Sequence, residues 1–173
     1  MQSKRILVID GHPGQQSLSR TLAEAYESGA SEAKHVVRMV HLHDLHFDLD
    51  HENGGYRNSK PLEPALESFL EDLEWAEHIV MTTPMWWGGM PAKLKGLFDR
   101  SLLPGRAFDP RVLEWGAPKP LLTEKTARVI VTSDTPSWFM RLAYRNALFH
   151  QIRKQLFRFV GIRPTRFTHL NLA

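Results

Sequence analysis

Two stretches of this chain carry residues of the kind that hold ligands. The first is Gly11-His12-Pro13-Gly14-Gln15-Gln16-Ser17-Leu18-Ser19. It stands between an apolar run and a helical pattern, so it places free backbone N–H groups and two serine hydroxyls at a helix N-terminus. Such a place attracts an anion. Ser17 also has a plainer reading as an N-cap and nothing more. No lysine follows the second glycine, which excludes a P-loop, and the glycine spacing is not that of a dinucleotide fingerprint. The second stretch is Pro84-Met85-Trp86-Trp87-Gly88-Gly89-Met90-Pro91. Two tryptophans on a Gly/Pro loop are costly to leave in water, so the loop lines a pocket for a flat aromatic ligand or packs on a partner chain. A third stretch, Thr132-Ser133-Asp134-Thr135-Pro136-Ser137-Trp138, adds hydroxyls and another indole. An anion site beside a ring platform describes a phosphorylated aromatic cofactor.

The elements that must position these stretches follow from apolar periodicity. Arg5–Asp10 reads as a central strand buried on both faces. The next helix carries Leu18, Leu22, Ala25 and Tyr26 on one side, and a second strand is expected over 34–40. Leu62, Leu66, Phe69, Leu70 and Leu73 have amphipathic helix spacing within 61–75. A third strand over 79–82 is expected to stop at Pro84, with a helix from Pro91 to Leu102 or Leu103. Residues 106–120 read as irregular, with Phe108 and Trp115 needing cover, and Asn53–Tyr56 as a turn-rich loop. A fourth strand at 126–132, one long helix from about Phe139 to Val160 ended by Gly161, and a short strand at 166–170 complete the chain. Strand and helix in this alternation predict an α/β fold, a doubly wound parallel sheet of five strands with helices on both faces. In such sheets ligands bind outside the carboxyl ends of the strands, which is where all three loops fall.

Composition narrows the function. A chain of 173 residues with 42% hydrophobic and 24% charged residues is expected to form one domain, residues 1–173. It has no cysteine, which removes disulfides, thiolate metal sites and thiol nucleophiles together. Four histidines and three aspartates crowd positions 41–51, but their spacing matches no metal motif, and the segment reads as a surface loop anchored by Leu42, Leu45, Phe47 and Leu49. No metal is expected. The net charge of +3 favours anionic ligands and is too small to argue for nucleic acid. The basic residues of the last helix, Arg141 to Arg158, read as a solvated or dimer-contacting face opposite an ordinary core stripe. No stretch is apolar for long enough to span a bilayer and the start has no signal-peptide core, so a cytoplasmic protein is expected.

The chain resembles the flavodoxin-like NAD(P)H:quinone oxidoreductases, the group that includes DT-diaphorase, in its small bacterial form. Three segments carry the resemblance: Gly11-His12-Pro13 with Ser17-Leu18-Ser19-Arg20; Pro84-Met85-Trp86-Trp87-Gly88 with Pro91-Ala92-Lys93-Leu94-Lys95-Gly96 and Asp99-Arg100; and Gly105-Arg106-Ala107-Phe108. Asp134-Thr135-Pro136-Ser137-Trp138 and Gly161-Ile162-Arg163-Pro164 are similar to the small bacterial members. The resemblance implies a flavodoxin-like sheet, a homodimer, a flavin (FMN rather than FAD), and ping-pong hydride transfer from NAD(P)H to a quinone-like acceptor. By position it gives His12, Ser17, Leu18 and Ser19 to the flavin phosphate, and Pro84, Met85, Trp86, Trp87 and Gly88 with Thr132 and Ser133 to the ring. Backbone N–H groups of Trp86 and Trp87 are expected at the ring edge, and Trp87, Phe108 and Trp138 as walls of the substrate pocket. The chain departs from the family at Thr132-Ser133-Asp134, where Thr-Gly-Gly is usual, and at Phe139, near the place of a tyrosine in larger members; no proton donor is assigned. Two alternatives share the fold: a flavodoxin-type electron carrier, and an ancillary regulatory subunit of a potassium-efflux system, which alone would bring it to a membrane.

Overall fold

The computed structural model describes residues 2–52, 60–114 and 116–171. The loop expected at Asn53–Tyr56 and the indole of Trp115 lie outside the described residues. The uninterrupted apolar run Ile6 to Ile9 becomes β1 (Arg5–Asp10) and is buried throughout. It is followed by α1 (Leu18–Glu32), β2 (Val36–His41), a single 3-10 turn at Leu42–Asp44, α2 (Pro64–Trp75), β3 (His78–Pro84) and α3 (Ala92–Ser101). β4 (Phe108–Glu114) and β5 (Ala117–Pro120) form a hairpin outside the main sheet. β6 (Thr126–Ser133), a broken helical segment and β7 (Thr165–Asn171) close the fold.

β1, β2, β3, β6 and β7 make one parallel sheet in the order β2-β1-β3-β6-β7. The order reverses between β1 and β3, which sets the switch point of the sheet there. The two faces bury different partners. Leu7, Ile9, Ile79, Met81, Val129 and Val131 face α2, α3 and the helical segment before β7, while Ile6, Val8 and Val80 face α1. The α/β class, the five parallel strands and helices on both faces therefore stand.

β3 stops at Pro84 as expected, its last residue lying opposite Thr132, where a lost amide donor matters least. Two other local expectations are corrected. Residues 106–120 are not irregular, because Phe108–Glu114 and Ala117–Pro120 pair antiparallel. The helix expected over 139–160 is broken into α4 (Ser137–Leu142), α5 (Ala147–His150), a π-helical stretch at Gln151–Phe157 and α6 (Arg158–Val160). Arg145 and Asn146 take left-handed backbone angles, φ 48° and 53°, which end one helix and restart the next.

The largest fully buried side chain is Arg100, 1% exposed, on α3. Its guanidinium donates to both carboxylate oxygens of Glu63, at 3.2 and 2.8 Å, and to the carbonyls of Asp48 and Pro61. It thereby ties the chain around α2 to the helix behind the tryptophan loop. Burial raises the Glu63 carboxyl, but N–H donors of Asp48 and Glu63 and the Arg100 guanidinium together bring it below its ordinary value. Removing Arg100 strands those acceptors, so Arg100→Leu is expected to lower stability by about 2–4 kcal/mol, read as an earlier urea midpoint. Because Glu63 is depressed in the folded state, its contribution is present above the ordinary carboxylate pKa and lost as pH falls through the folded one. The urea midpoint of the variant should accordingly fall less steeply on acidification than that of the parent.

Candidate functional site

At the carboxyl end of β1 the chain turns out under tight constraint. Gly11 N–H donates to Thr82 O at 2.8 Å, extending the pairing with β3 by one residue. A Cβ on Gly11 would lie 2.7 Å from both Thr82 O and Leu94 Cδ2, so only glycine passes here. Asp10, fully buried, accepts from His12 N–H at 3.2 Å and faces His41 Nδ1 at 3.2 Å. His12 Nδ1 lies 2.9 Å from Gly14 N and 3.3 Å from Gly14 O, holding the ring against the loop. His43 Nδ1 bonds Pro13 O at 3.1 Å. Two members of the His-rich segment thus brace this loop, and among the described residues no group of three or more His, Cys, Asp or Glu is placed to hold a metal.

The loop ends at the N-terminus of α1. Ser17 is an N-cap, its Oγ accepting from Arg20 N–H at 3.1 Å. Ser19 Oγ is buried and has no hydrogen-bond partner among the described residues. An orphaned buried hydroxyl costs free energy unless something completes it. The Leu18 and Ser19 N–H groups belong to the first helical turn, where no intrahelical acceptor exists. The buried hydroxyl and these amides thus belong to the first turn of a 15-residue helix, whose positive end favours an anion.

The tryptophan stretch after β3 is a two-residue turn. Trp86 N–H donates to Gly89 O and Gly89 N–H to Trp86 O, both at 2.9 Å. Trp87 (φ 50°) and Gly88 (φ 77°) at its tip both have positive φ, the pattern of a type I′ turn. The Trp86 amide is therefore spent within the turn, contrary to the expectation that it meets a ring edge. Trp86 packs edge-on against His12 with centroids 5.5 Å apart, joining this turn to the first loop. Trp87 is 106% exposed, its indole wholly in water.

A cleft of about 510 Å³ opens beside the turn, lined by Met85, Trp87, Gly88, Ser133, Met140 and Tyr144 with Asp134, Thr135, Ala147 and Leu148. It unites Met85, Trp87, Gly88 and Ser133 of the residues expected from sequence. Thr132 lies just beneath, its carbonyl accepting from Met85 N–H at 2.9 Å. Phe108 does not line it: 6% exposed, it packs in the core edge-on to Phe159 at 5.1 Å, because the hairpin turns it inward. Trp138 is also absent from the lining; it sits exposed on α4 against Phe139. Arg106, beside Phe108 in sequence, is bound to Glu67 and Glu74 of α2 and is a structural clamp.

Three residues escaped the sequence. Met140 on α4 and Tyr144 in the turn after it line the cleft where the helical segment breaks after Leu142, a break no residue pattern announces. The third is His169 near the end of β7, whose Nε2 lies 2.8 Å from Ser133 Oγ and whose Nδ1 lies 3.0 Å from Ser137 Oγ. The imidazole pins both ends of the loop forming one wall of the cleft. Burial pushes its pKa below the ordinary 6.5. The neutral imidazole is the folded form, so its contribution to stability is present above the ordinary value and fades as pH falls through the lowered one. Histidine NMR should show the His169 imidazole titrating below free histidine, and Ser133→Ala with Ser137→Ala should move that midpoint; an ordinary, immovable midpoint would deny the clamp.

A profile of the family described as Flavodoxin-like fold matches residues 4–172. The chain is 30% identical over 112 residues to the uncharacterized NAD(P)H oxidoreductase YcaK of Escherichia coli, covering 62% of this chain and 57% of that one. It is 33% identical over 118 residues to the FMN-dependent NADH:quinone oxidoreductase of Nitratidesulfovibrio vulgaris strain DP4, covering 60% of this chain and 56% of that one. The matched region is thus little more than half the length of these relatives. Among solved structures, Smu.1420 from Streptococcus mutans superposes with a TM-score of 0.80 at 26% identity, covering 96% of this chain and 87% of that one.

Proposed function

Since the chain belongs to the flavodoxin-like fold family, we propose that residues 1–173 work as one domain, an FMN-dependent NAD(P)H:quinone oxidoreductase of the cytoplasm. The observation that carries this reading is Ser19: a buried, unpartnered hydroxyl at an open helix N-terminus, on the same sheet edge as a bare indole turn. The cradle suits a phosphate and the turn suits a ring. The two lie on loops after β1 and β3, the strands that flank the switch point. The relative named as an FMN-dependent NADH:quinone oxidoreductase supports the choice of FMN.

In this reading Ser17, Leu18 and Ser19 hold the phosphate through N–H and hydroxyl groups, with His12, braced against Gly14, on the same loop. Pro84 to Gly88 form one wall for the ring, with Thr132 and Ser133 behind it. FMN held by these residues would supply hydride transfer between NAD(P)H and a quinone. The chain positions the partners and keeps water out. Met85, Met140 and Leu148 give the cleft an apolar lining, to which Tyr144 adds a phenol. The N–H of Trp87, outside the reciprocal Trp86–Gly89 pair, is available to a ring-edge acceptor and would stabilise negative charge there.

Purified protein supplied with FMN should show flavin absorption near one per chain, bleached rapidly by NADPH without oxygen and restored by a quinone. A protein that takes up no FMN overturns the reading. Ser19→Ala separates the cradle from general damage: apo stability should hold or rise, since an unsatisfied hydroxyl is gone, while FMN affinity falls about tenfold or more. The reading includes a homodimer, supported by the apolar surface of Trp87, Trp138 and Leu142 around the cleft. Sedimentation should give the mass of two chains, and Leu142→Glu should shift it toward one.

A further inference from the structure

Hydride transfer to a quinone brings two electrons and one hydrogen, so the acceptor still needs one proton for each hydroquinone formed. A row of side chains leads from the cleft beside the tryptophan turn to water. Ser133, 8% exposed, ends β6 and lines that cleft. Its Oγ lies 2.8 Å from His169 Nε2, and His169 Nδ1 lies 3.0 Å from Ser137 Oγ. Ser137 opens α4 and is exposed. The strand register places Ser133 and His169 on one face of the sheet. His169 stands opposite Val131, two residues before Ser133, and Val131 belongs to the core that Leu148 and Ile152 cover. Each step along the row is a hydrogen bond long.

The three groups are of the kind that pass protons. A hydroxyl can accept one proton while giving another, and a neutral imidazole carries a proton on one nitrogen and accepts at the other. Burial pushes the His169 pKa below 6.5, which keeps the ring neutral at neutral pH. Ser133 is held from a second side, because Thr135 N–H donates to its Oγ at 3.2 Å. Within the loop the Ser133 proton finds only a long partner, Thr135 O at 3.3 Å. An acceptor oxygen in the cleft would offer it a shorter one. With the ring proton on Nε2, Ser133 accepts from the imidazole and its own proton is free for that oxygen.

We propose that Ser133 Oγ delivers the proton of quinone reduction and that His169 resupplies it through Ser137, an assignment that rests on the function proposed above. The hydride bonds to the quinone and leaves a negative oxygen, which takes the Ser133 proton as the Ser133 O–H bond breaks. The Nε2 proton passes to Ser133, the Ser137 proton to Nδ1, and water restores Ser137. One proton thus enters for each hydroquinone formed. The test follows both half-reactions of FMN-loaded protein by stopped flow. The acceptors are menadione, a quinone, and ferricyanide, which takes electrons but no proton. Re-oxidation of the parent by menadione should be slower in heavy water. Ser133→Ala should slow menadione about a hundredfold more than ferricyanide and lose the heavy-water effect, and Ser133→Thr should recover most of the rate. His169→Gln, which can hold Ser133 but cannot pass a proton on, should fall with Ser133→Ala. Without NADPH, menadione added to the oxidised protein should shift the His169 imidazole NMR signals in the parent and not in Ser133→Ala. Equal slowing of both acceptors, a parental rate in His169→Gln, or a heavy-water effect that only Tyr144→Phe removes overturns the proposal, while FMN uptake and bleaching by NADPH leave the proposed function standing. A protein that takes up no FMN overturns both.

Discussion

The site rests on one buried carboxylate. Asp10 closes β1 with no exposure at all, and a charge in that position must be met by donors or the strand end cannot be buried. His12 N–H and the His41 imidazole meet it. The first of these fixes how the loop leaves the sheet; the second fixes that loop to the end of β2. Gly11 then has a single course between Thr82 and Leu94, and α1 begins where its N-terminus faces the sheet edge. The orphaned hydroxyl of Ser19 and the contact of His12 with Trp86 are consequences of that geometry.

A second tier of contacts joins the helices to the frame. Arg100 and Arg106 are both basic residues of the segments that resemble the oxidoreductase family, and both bind carboxylates of the α2 region. Their positions come from fold assembly. The His-rich segment behaves alike: two of its imidazoles support the first loop, and Lys93 donates to His43 O, so α3 holds the same segment from below.

How much of this was legible depended on the range of the interaction. Apolar runs such as Ile6–Ile9 and Ile79–Met81 announced buried strands, because burial on both faces leaves no other composition. The ligand-bearing loops were legible too, since glycine, proline and serine act through local backbone chemistry. The broken helix was not, because Leu142, Leu148, Ile152 and Phe159 keep a helical rhythm straight across the left-handed pair Arg145-Asn146. Tertiary packing decides that break. Phe108 misled because an aromatic after Gly105 reads equally well as a wall or as core, and only the hairpin turns it inward. His169 gave no signal: a lone histidine in a strand means nothing until Ser133 and Ser137 are seen on either side of it.

The turn tip has a consequence for how this protein can vary. The Trp87 indole contacts nothing that holds the fold, and its backbone asks only for a residue that tolerates positive φ. Folding therefore exerts almost no selection on the side chain at this position, in contrast to Gly11 or Arg100. Within the residues that tolerate this backbone, size and polarity at position 87 can change at little cost to the fold, and whatever meets this surface from outside weighs on the residue kept there. Position 87 is thus a place where preference can drift while the scaffold stays unchanged.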